Sequence, residues 1–152
     1  MQNERYQDMT ILEHLVRAKR RGLRIHAMTL PPHKLKQSKI LEGVNGLRLM
    51  DDVGIKIRRF KRLHLHAKML LVDDTRAIVG SMNMTPGSFD QRRELGIELS
   101  DETILSRLRI TFERDWQHSH QLDLSDEGIM REMGKHGHAD LKSLALAYDD
   151  PS

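Results

Sequence analysis

Apolar residues recur along the chain at two spacings, and these spacings predict a series of helices and strands. Helical spacing marks residues 10–21, where Thr10 and Glu13 stand at capping-box spacing and Gly22 provides a stop. Strict alternation, which is typical of half-buried strands, marks several later segments. The pattern predicts, in order, a helix over 10–21, a strand over 23–30, a weaker helix over 34–50 interrupted by Gly43 and Gly46, strands over 54–60, 64–73, 76–81 and 94–100, and a helix from Ser100 or Asp101 to about Gln117.

The order of these elements predicts a mixed α/β sandwich. In such a fold a strand normally leads into the first helix, yet only nine residues precede Thr10. That strand is therefore either a stub near Met1 or part of a sequence that lies outside this chain. We assign residues 1–117 to one domain and residues 118–152 to a partly mobile C-terminal tail with one short helix over 125–133.

Composition narrows the classes of function. The chain of 152 residues has no cysteine, which excludes disulfides, thiol nucleophiles and cysteine metal ligands. Its net charge of +3 is too small to indicate a nucleic-acid partner, although the segment 56–62 (KIRRFKR) is strongly basic. The sequence contains no signal peptide and no apolar run of about 20 residues that could cross a bilayer. We therefore expect a soluble chain, in the cytoplasm or at a membrane surface.

Polar side chains interrupt the predicted hairpin over 64–81 at fixed spacing. His66 and Lys68 lie two residues apart in a strand and therefore point to the same face. After the turn, Ser81 and Asn83 end the second strand at the same end of the sheet. An imidazole, a cation and two neutral hydrogen-bonding groups at one point can cradle a phosphate and bring a nucleophile to it.

The full pattern is more specific than its parts. Six residues are set across eighteen positions: His66, Lys68, Asp73, Gly80, Ser81 and Asn83. This arrangement resembles the HKD motif of the phospholipase D superfamily, and the helix, glycine and strand over 11–25 resemble the segment that precedes that motif. The resemblance covers roughly residues 5–117. It implies a phospholipase D-like mixed β-sheet with helices on both faces.

The resemblance also implies a role for each motif residue. His66 would attack phosphorus and form a covalent phosphohistidine, with no metal or other cofactor. Lys68, Ser81 and Asn83 would bind the non-bridging phosphate oxygens, which become more negative in the transition state. Asp73 would be mainly structural and would position the strand and Lys68.

Members of the superfamily carry a downstream carboxylate that bonds the second imidazole nitrogen of the nucleophile. Such a carboxylate fixes the tautomer, so that the attacking nitrogen keeps its lone pair. Glu94, 28 positions after His66, matches that carboxylate. Glu98 is the alternative, further from the expected spacing.

The chemistry of this superfamily takes two HKD motifs, because one histidine attacks while the other protonates the leaving oxygen. This chain has one: the segment 33–36 (HKLK) lacks an aspartate seven positions after His33, where Ile40 stands. The second motif would come from a homodimer mate or from an N-terminal HKD half of a longer enzyme. We favour the N-terminal half, since the first strand is not evident and the signal peptide of small single-motif relatives is absent.

The substrate is expected to be a phosphodiester, either a phospholipid or a nucleic acid, because the basic segment 56–62 suits both. We expect phospholipid hydrolysis or phosphatidyl transfer, since the local sequence looks more like the phospholipase D and cardiolipin synthase branch. The alternatives are a nuclease of the same superfamily, a non-catalytic phosphate-binding half, and a nucleic-acid-binding module that uses 56–62. Two histidine pairs, His118 with His120 and His136 with His138, are expected to lie on the surface rather than bind a metal.

Overall fold

The computed structural model describes residues 1–35, 39–60 and 64–136. The helices in these ranges are α1 (Met9–Arg20), α2 (Ile40–Asp52), α3 (Pro86–Asp90), α4 (Glu102–Gln117) and α5 (Asp126–Lys135), with a 3-10 helix over Pro32–Lys34. The strands are β1 (His26–Met28), β2 (Lys56–Arg59), β3 (Met69–Val72), β4 (Arg76–Gly80), β5 (Gly96–Leu99) and β6 (His120–Gln121). Each element predicted over residues 10–117 is present, and α3, β6 and the 3-10 helix are additional.

The strands form two three-stranded sheets that the N-terminal segment joins. In the first sheet β2 pairs with β1 in parallel and with β6 antiparallel, whereas β3, β4 and β5 form an antiparallel meander. Gln2 bridges both sheets, in parallel with Met28 at the end of β1 and antiparallel with Met69 at the start of β3. The strand expected before α1 is therefore present as a short segment over residues 1–4, which we call the stub.

Consecutive residues of β1 show that helices cover both faces of the sheet. Ala27 belongs to a buried cluster formed with residues of α1, α2 and α5. Met28 points to the opposite face, where it clusters with Phe112 and Trp116 of α4. The predicted mixed α/β fold with helices on both faces is confirmed.

Helix α1 begins at a different cap from the one predicted. Asp8, rather than Thr10, is the N-cap, and its Oδ1 accepts a hydrogen bond from Ile11 N at 3.0 Å. The chain leaves the helix at Gly22, whose φ of +93° lies in the region that glycine tolerates best. The stop was therefore predicted correctly, while the start lies earlier in the chain.

Helix α2 continues through the two glycines that were predicted to interrupt it. Gly46 is needed for packing, because a Cβ at this position would lie 2.0 Å from the carbonyl oxygen of Tyr6. The missing side chain lets α2 approach the backbone just after the stub directly. Helix α2 therefore supports the segment on which part of the candidate site lies.

The β3–β4 hairpin is shorter than predicted. Strand β3 begins at Met69 rather than at residue 64. One side of β3 pairs with β4, and the other side pairs with the stub, through Gln2 alone. Asp73 and Asp74 form the tight turn with φ values of 47° and 56°. Residues 64–68 therefore reach the sheet as irregular chain.

Residues 118–136 pack into the same core as the rest of the fold. Strand β6 pairs with β2, and four residues that follow it are buried in the main cluster: Leu122, Leu124, Ile129 and Met133. The apolar residues after β6 cover the sheet beside α2, and the boundary at residue 117 stays a prediction. Residues 137–152 of the predicted tail lie outside the described ranges.

Candidate active site

The candidate site lies at one edge of the sheet, where the N-terminal stub ends and β3 begins. Because Gln2 pairs antiparallel with Met69, residues just after Gln2 and just before Met69 lie at the same edge. Glu4 and His66 therefore meet, although 62 positions separate them in the sequence.

A carboxylate, an imidazole, an ammonium and an amide converge at this edge. Oε1 of Glu4 contacts Nδ1 of His66, and Oε2 accepts a hydrogen bond from Asn83 Nδ2 at 3.1 Å. Lys68 Nζ lies 3.3 Å from Glu4 Oε1 and donates to the carbonyl oxygen of His66 at 2.9 Å. The side chains of Glu4 and Lys68 are 10% and 7% exposed, whereas that of His66 is 81% exposed. A buried carboxylate thus organises the groups around it and leaves the imidazole open to solvent.

The partners of Nδ1 determine which nitrogen of His66 carries the proton. Lys68 Nζ also lies 2.9 Å from Nδ1, but an ammonium can only donate, and it has other acceptors in the His66 carbonyl and in Glu4. An ionised carboxylate can only accept a hydrogen bond, so Nδ1 carries the ring proton and donates a hydrogen bond to Glu4. With the proton on Nδ1, as these hydrogen-bonding partners indicate, Nε2 of the neutral ring keeps its lone pair.

Glu4 stays ionised in these surroundings. Burial by itself raises the pKa of its carboxyl group. The hydrogen bond from His66, the charge of Lys68 and the hydrogen bond from Asn83 outweigh burial, so the pKa lies below its ordinary value of 4.5. The carboxylate is therefore charged at neutral pH and holds both its imidazole and its ammonium partner.

The stub also fixes the segment that carries Asn83. Asn3 is 2% exposed, its Nδ2 donates to the carbonyl oxygen of Met82 at 3.1 Å, and its Oδ1 accepts from Met84 N at 3.2 Å. The backbone on both sides of Asn83 is therefore bonded to the stub. These bonds position the amide of Asn83 against the Glu4 carboxylate.

Ser81 and Glu94 form a second polar pair at the same edge. Ser81 Oγ donates to Glu94 Oε2 at 2.5 Å and accepts from Leu95 N at 3.1 Å. The hydrogen bond from Ser81 lowers the pKa of Glu94. The close fit depends on Gly80, which faces Gly96 across the ladder and whose Cβ would lie 2.3 Å from the carbonyl oxygen of Leu95.

The predicted contact between Glu94 and His66 is corrected by this arrangement, since the carboxylate beside His66 belongs to Glu4. Glu94 accepts its hydrogen bond from Ser81 instead, and its carboxylate also feels the charge of Lys68. Glu98, the alternative, lies within β5 and pairs with Arg76 at 3.5 Å. Both carboxylates therefore have partners within their own sheet.

Asp73 lies away from the other predicted residues. It starts the turn at the far end of β3, and a rise of about 3.3 Å per residue places it roughly 17 Å along the strand from Lys68. Its positive φ suits an aspartate in a tight turn. The structure thus sorts the predicted residues into three places: His66, Lys68 and Asn83 around Glu4, Ser81 with Glu94 beside them, and Asp73 at the distant turn.

Glu4 is the residue of the site that the sequence interpretation misses. The available signal is a run of three polar residues, Gln2, Asn3 and Glu4, upstream of α1, where a buried strand is expected in this fold. Buried polar side chains are costly unless they are bonded, so such a run indicates a network. The run lacks the apolar alternation of a strand, and the sequence therefore leaves open whether the first strand lies here.

The remaining polar segments have other positions. His118 and His120 are exposed at the end of α4 and in β6, and His138 lies outside the described residues. In the basic segment, Arg58 Nη1 donates to the carbonyl oxygen of Trp116 at 2.7 Å, and residues 61–62 lie outside the described ranges. Among the helices of the described ranges, none combines the length and apolar character that crossing a membrane requires.

Comparison with known proteins connects this site to one family. The family model for the PLD-like domain of cardiolipin synthase matches residues 1–116. Cardiolipin synthase 1 of Staphylococcus aureus (strain COL) is 31% identical over 107 residues, which make up 69% of this chain and 21% of that synthase. Minor cardiolipin synthase ClsB of Bacillus subtilis is 32% identical over 75 residues, or 49% of this chain and 19% of that synthase. The matched region spans about a fifth of the length of these two relatives.

Solved structures share the fold at low sequence identity. Nuc from Salmonella typhimurium, a phospholipase D family member, matches with a TM-score of 0.71 and 17% identity, covering 80% of this chain and 78% of Nuc. NucT from Helicobacter pylori matches with a TM-score of 0.68 and 13% identity, covering 79% of each chain. The identification made from the HKD motif is confirmed: the chain belongs to the phospholipase D superfamily, in the family of the PLD-like domain of cardiolipin synthase.

Proposed function

We propose that this chain supplies one half of a phosphodiester-cleaving site in which His66 is the nucleophile. Nε2 attacks phosphorus, the bond from phosphorus to the leaving oxygen breaks, and a covalent phosphohistidine forms. A second HKD histidine gives its proton to the leaving oxygen, and water or an alcohol then displaces His66 from phosphorus. The observation that carries the proposal is the Glu4 carboxylate on Nδ1 of an imidazole that is 81% exposed.

Glu4 supports this chemistry as a positioning residue. By accepting the hydrogen bond from Nδ1, Glu4 keeps the lone pair on Nε2, the other nitrogen of an imidazole that is largely exposed. When Nε2 bonds to phosphorus, the ring becomes cationic, and a carboxylate at Nδ1 stabilises that charge. Glu4 therefore takes the role that the sequence interpretation gave to Glu94.

Lys68 and Asn83 have donors left for phosphate oxygens. The ammonium of Lys68 carries three hydrogens, of which the His66 carbonyl oxygen and Glu4 take two. The amide of Asn83 carries two hydrogens, of which one goes to Glu4. Ser81 already donates its hydroxyl hydrogen to Glu94, so it can bind phosphate only after that bond opens. We therefore propose Lys68 and Asn83 as the principal phosphate-binding residues, with Ser81 as a conditional third.

The second histidine, in this proposal, comes from another HKD domain. That domain is either a second copy of this chain or another half of a longer enzyme. Nuc has the same fold and a similar size, since the match covers 80% of this chain and 78% of Nuc. The cardiolipin synthases, in contrast, are several times longer than the matched region. The size comparisons support both arrangements, and activity at different protein concentrations separates them.

We propose a phospholipid phosphodiester as the substrate, with phosphatidyl transfer or hydrolysis as the reaction. The support is that the relatives found by sequence are cardiolipin synthases, while the similarity to Nuc and NucT concerns the fold. Release of the headgroup alcohol from phosphatidylglycerol in mixed micelles measures this directly. Cleavage of single-stranded DNA, with no headgroup release, would assign the site to nucleic acid instead.

Hydrolysis of bis-p-nitrophenyl phosphate in EDTA, over a wide range of protein concentration, tests the catalytic proposal. If two copies complete the site, the specific activity rises with concentration and then levels off. If the second histidine belongs to a different domain, turnover is absent, but about one nitrophenolate per chain is released, because this good leaving group needs no proton donor.

Matched variants make the test specific. His66→Asn is expected to abolish both turnover and the single release, whereas His64→Asn, which changes an exposed histidine two positions away, leaves them unchanged. Nitrophenolate release at the wild-type rate from folded His66→Asn protein would overturn the proposal. A wild-type chain that is folded and releases nothing at any concentration would also overturn it.

A further inference from the structure

Three metal-binding side chains converge outside the candidate active site, where α5 meets the 3-10 helix after β1. They are His33, Glu132 and His136, and one donor atom from each lies within 4.8 Å of the others. Nδ1 of His33 lies 3.0 Å from Glu132 Oε1, and Nε2 of His136 lies 3.9 Å from the same oxygen. Two imidazole nitrogens therefore face one carboxylate oxygen.

The local sequence explains this convergence. Two prolines turn the chain after β1 into the 3-10 helix Pro32–Lys34, which brings His33 back over the sheet. Glu132 and His136 stand four positions apart on α5 and therefore lie on one side of it. Burial of Ile129 and Met133 in the main cluster orients the helix so that this side meets the 3-10 helix.

Burial and charge set this cluster apart from an ordinary surface pair. The side chains of His33 and Glu132 are 6% and 16% exposed, while that of His136 is 47% exposed. Arg59 Nη2 donates to Glu132 Oε2 at 3.0 Å and lies 2.9 Å from Oε1. Within the described part of the chain, Glu132 Oε1 accepts no hydrogen bond of good geometry, although it is buried. This oxygen has the Arg59 guanidinium beside it, and the hydrogen bond of Arg59 to Oε2 can hold that guanidinium in place when a metal ion binds at Oε1.

We propose that His33, Glu132 and His136 form a binding site for a divalent transition metal of the zinc type. Two imidazole nitrogens and one carboxylate oxygen suit Zn²⁺, whereas Mg²⁺ and Ca²⁺ prefer oxygen ligands throughout. Metal–ligand bonds of about 2.0–2.2 Å in tetrahedral geometry separate neighbouring donors by roughly 3.3 Å. The observed separations of 3.0 and 3.9 Å lie on either side of that value.

Metal binding requires one local movement. The rings of His33 and His136 are stacked, with centroids 3.7 Å apart and an angle of 10° between their planes. Lone pairs of parallel rings point side by side, so one ring has to turn for both to reach the same ion. His136 is the ring that turns, because it is half exposed and stands at the C-terminal end of α5.

The ion would act as a structural clamp. It would fasten α5 to the 3-10 helix, and Arg59 would orient the carboxylate through its second oxygen, as outer-shell partners of metal ligands do. His33 follows β1, which runs parallel to the stub, so the clamp lies at the same edge of the sheet as the candidate active site. It is independent of the His66 chemistry and contributes to stability instead.

Calorimetric titration of the chelator-stripped 152-residue chain with Zn²⁺ tests this site, with thermal unfolding as a second readout. We expect one Zn²⁺ per chain at this site and a higher unfolding temperature with Zn²⁺ present. His136→Ala should weaken binding at least as much as loss of an outer-shell partner does, about 10- to 100-fold, and should remove the thermal shift. His118→Ala, an exposed histidine at the end of α4, is the matched control and should change neither.

Glu132→Gln provides a second variant, because it keeps the size of the side chain and removes the anionic ligand. It should weaken Zn²⁺ binding while His118→Ala does not. A visible spectrum of tetrahedral type on Co²⁺ addition to the wild type, lost in His136→Ala, would identify the nitrogen-containing site. Equal Zn²⁺ affinity and stoichiometry in the wild type, His136→Ala and Glu132→Gln would overturn the proposal, as would the absence of Zn²⁺ binding to the folded wild type.

Discussion

Glu4, on the stub that precedes α1, contacts Nδ1 of His66, on the irregular segment that precedes β3. The contact follows from one antiparallel bridge between Gln2 and Met69. The carboxylate is nearly buried and the imidazole is open to solvent. Glu4 can therefore orient the ring, while the ring stays accessible to a substrate as a nucleophile. The proposed role of His66 as a nucleophile depends on this pair.

Glu4→Gln is expected to slow release of nitrophenolate from bis-p-nitrophenyl phosphate by about 100-fold or more, which is the scale of loss when a group that orients a catalytic imidazole is removed. Glu13→Gln, on the exposed side of α1, is the matched control. A nitrogen-15 NMR spectrum of the imidazoles separates positioning from a structural role. The wild type should show His66 protonated at Nδ1, and Glu4→Gln should lose that preference while remaining folded. An unchanged tautomer and rate would contradict the assignment.

Lys68→Met is expected to weaken binding of inorganic phosphate to the chain. Hydrogen bonds to charged groups contribute about 1.5–3 kcal/mol, which corresponds to a loss of roughly 10- to 150-fold in affinity. The affinity can be measured by following amide chemical shifts during a phosphate titration. Lys39→Met, which removes an exposed ammonium that pairs with Glu42, should leave the affinity unchanged. Equal losses in both variants would point to a diffuse charge effect instead of a phosphate site.

Gly80→Ala is expected to destabilise the fold by about 1–3 kcal/mol, because the added methyl group would lie 2.3 Å from the carbonyl oxygen of Leu95 and push β4 from β5. Gly134→Ala is a control in α5, where a Cβ meets no atom within 4 Å. That change should be neutral or stabilise by up to about 1 kcal/mol. Urea unfolding measures both. Similar stability of Gly80→Ala and the wild type would show that β4 and β5 do not need this close approach.

The low pKa of Glu4 predicts how its contribution to stability depends on pH. The folded-state pKa lies below the ordinary value of 4.5, so the contribution is fully present above 4.5 and is lost as the pH falls through the lower folded-state pKa. The stability advantage of the wild type over Glu4→Gln should therefore stay constant near neutral pH and shrink in acid. Urea midpoints of both proteins, measured from about pH 3 to 7, provide the comparison. An advantage that is independent of pH would contradict the charged state of Glu4.

The motif residues of the hairpin could be predicted because their spacing is local. His66 and Lys68 stand two positions apart, and Asn83 follows the next strand, so the strand–turn–strand pattern suffices to bring them together. Glu4 could not be found in this way, since its partner is 62 positions away and the pairing depends on a single bridge. Its polar neighbours in the sequence also conceal the strand.

Strand β6 and the packing of the C-terminal helix escaped prediction for a related reason. Strand β6 has two residues, too few for an alternating pattern, and its place beside β2 depends on long-range pairing. The helix over 125–133 was predicted from local signals, and Ser125 caps α5 by accepting from Gly128 N at 3.0 Å. What local signals do not contain is that Ile129 and Met133 of this helix belong to the main core.

The most direct test of the central claim is to locate the phosphoryl group on the chain after reaction. Wild-type protein is mixed with bis-p-nitrophenyl phosphate, quenched in alkali to preserve phosphoramidate bonds, digested and analysed by mass spectrometry. The account predicts a p-nitrophenyl phosphoryl adduct on His66 that is absent from His66→Asn and present in His64→Asn. An adduct on another residue, or nitrophenolate release without any adduct on His66, would contradict the account.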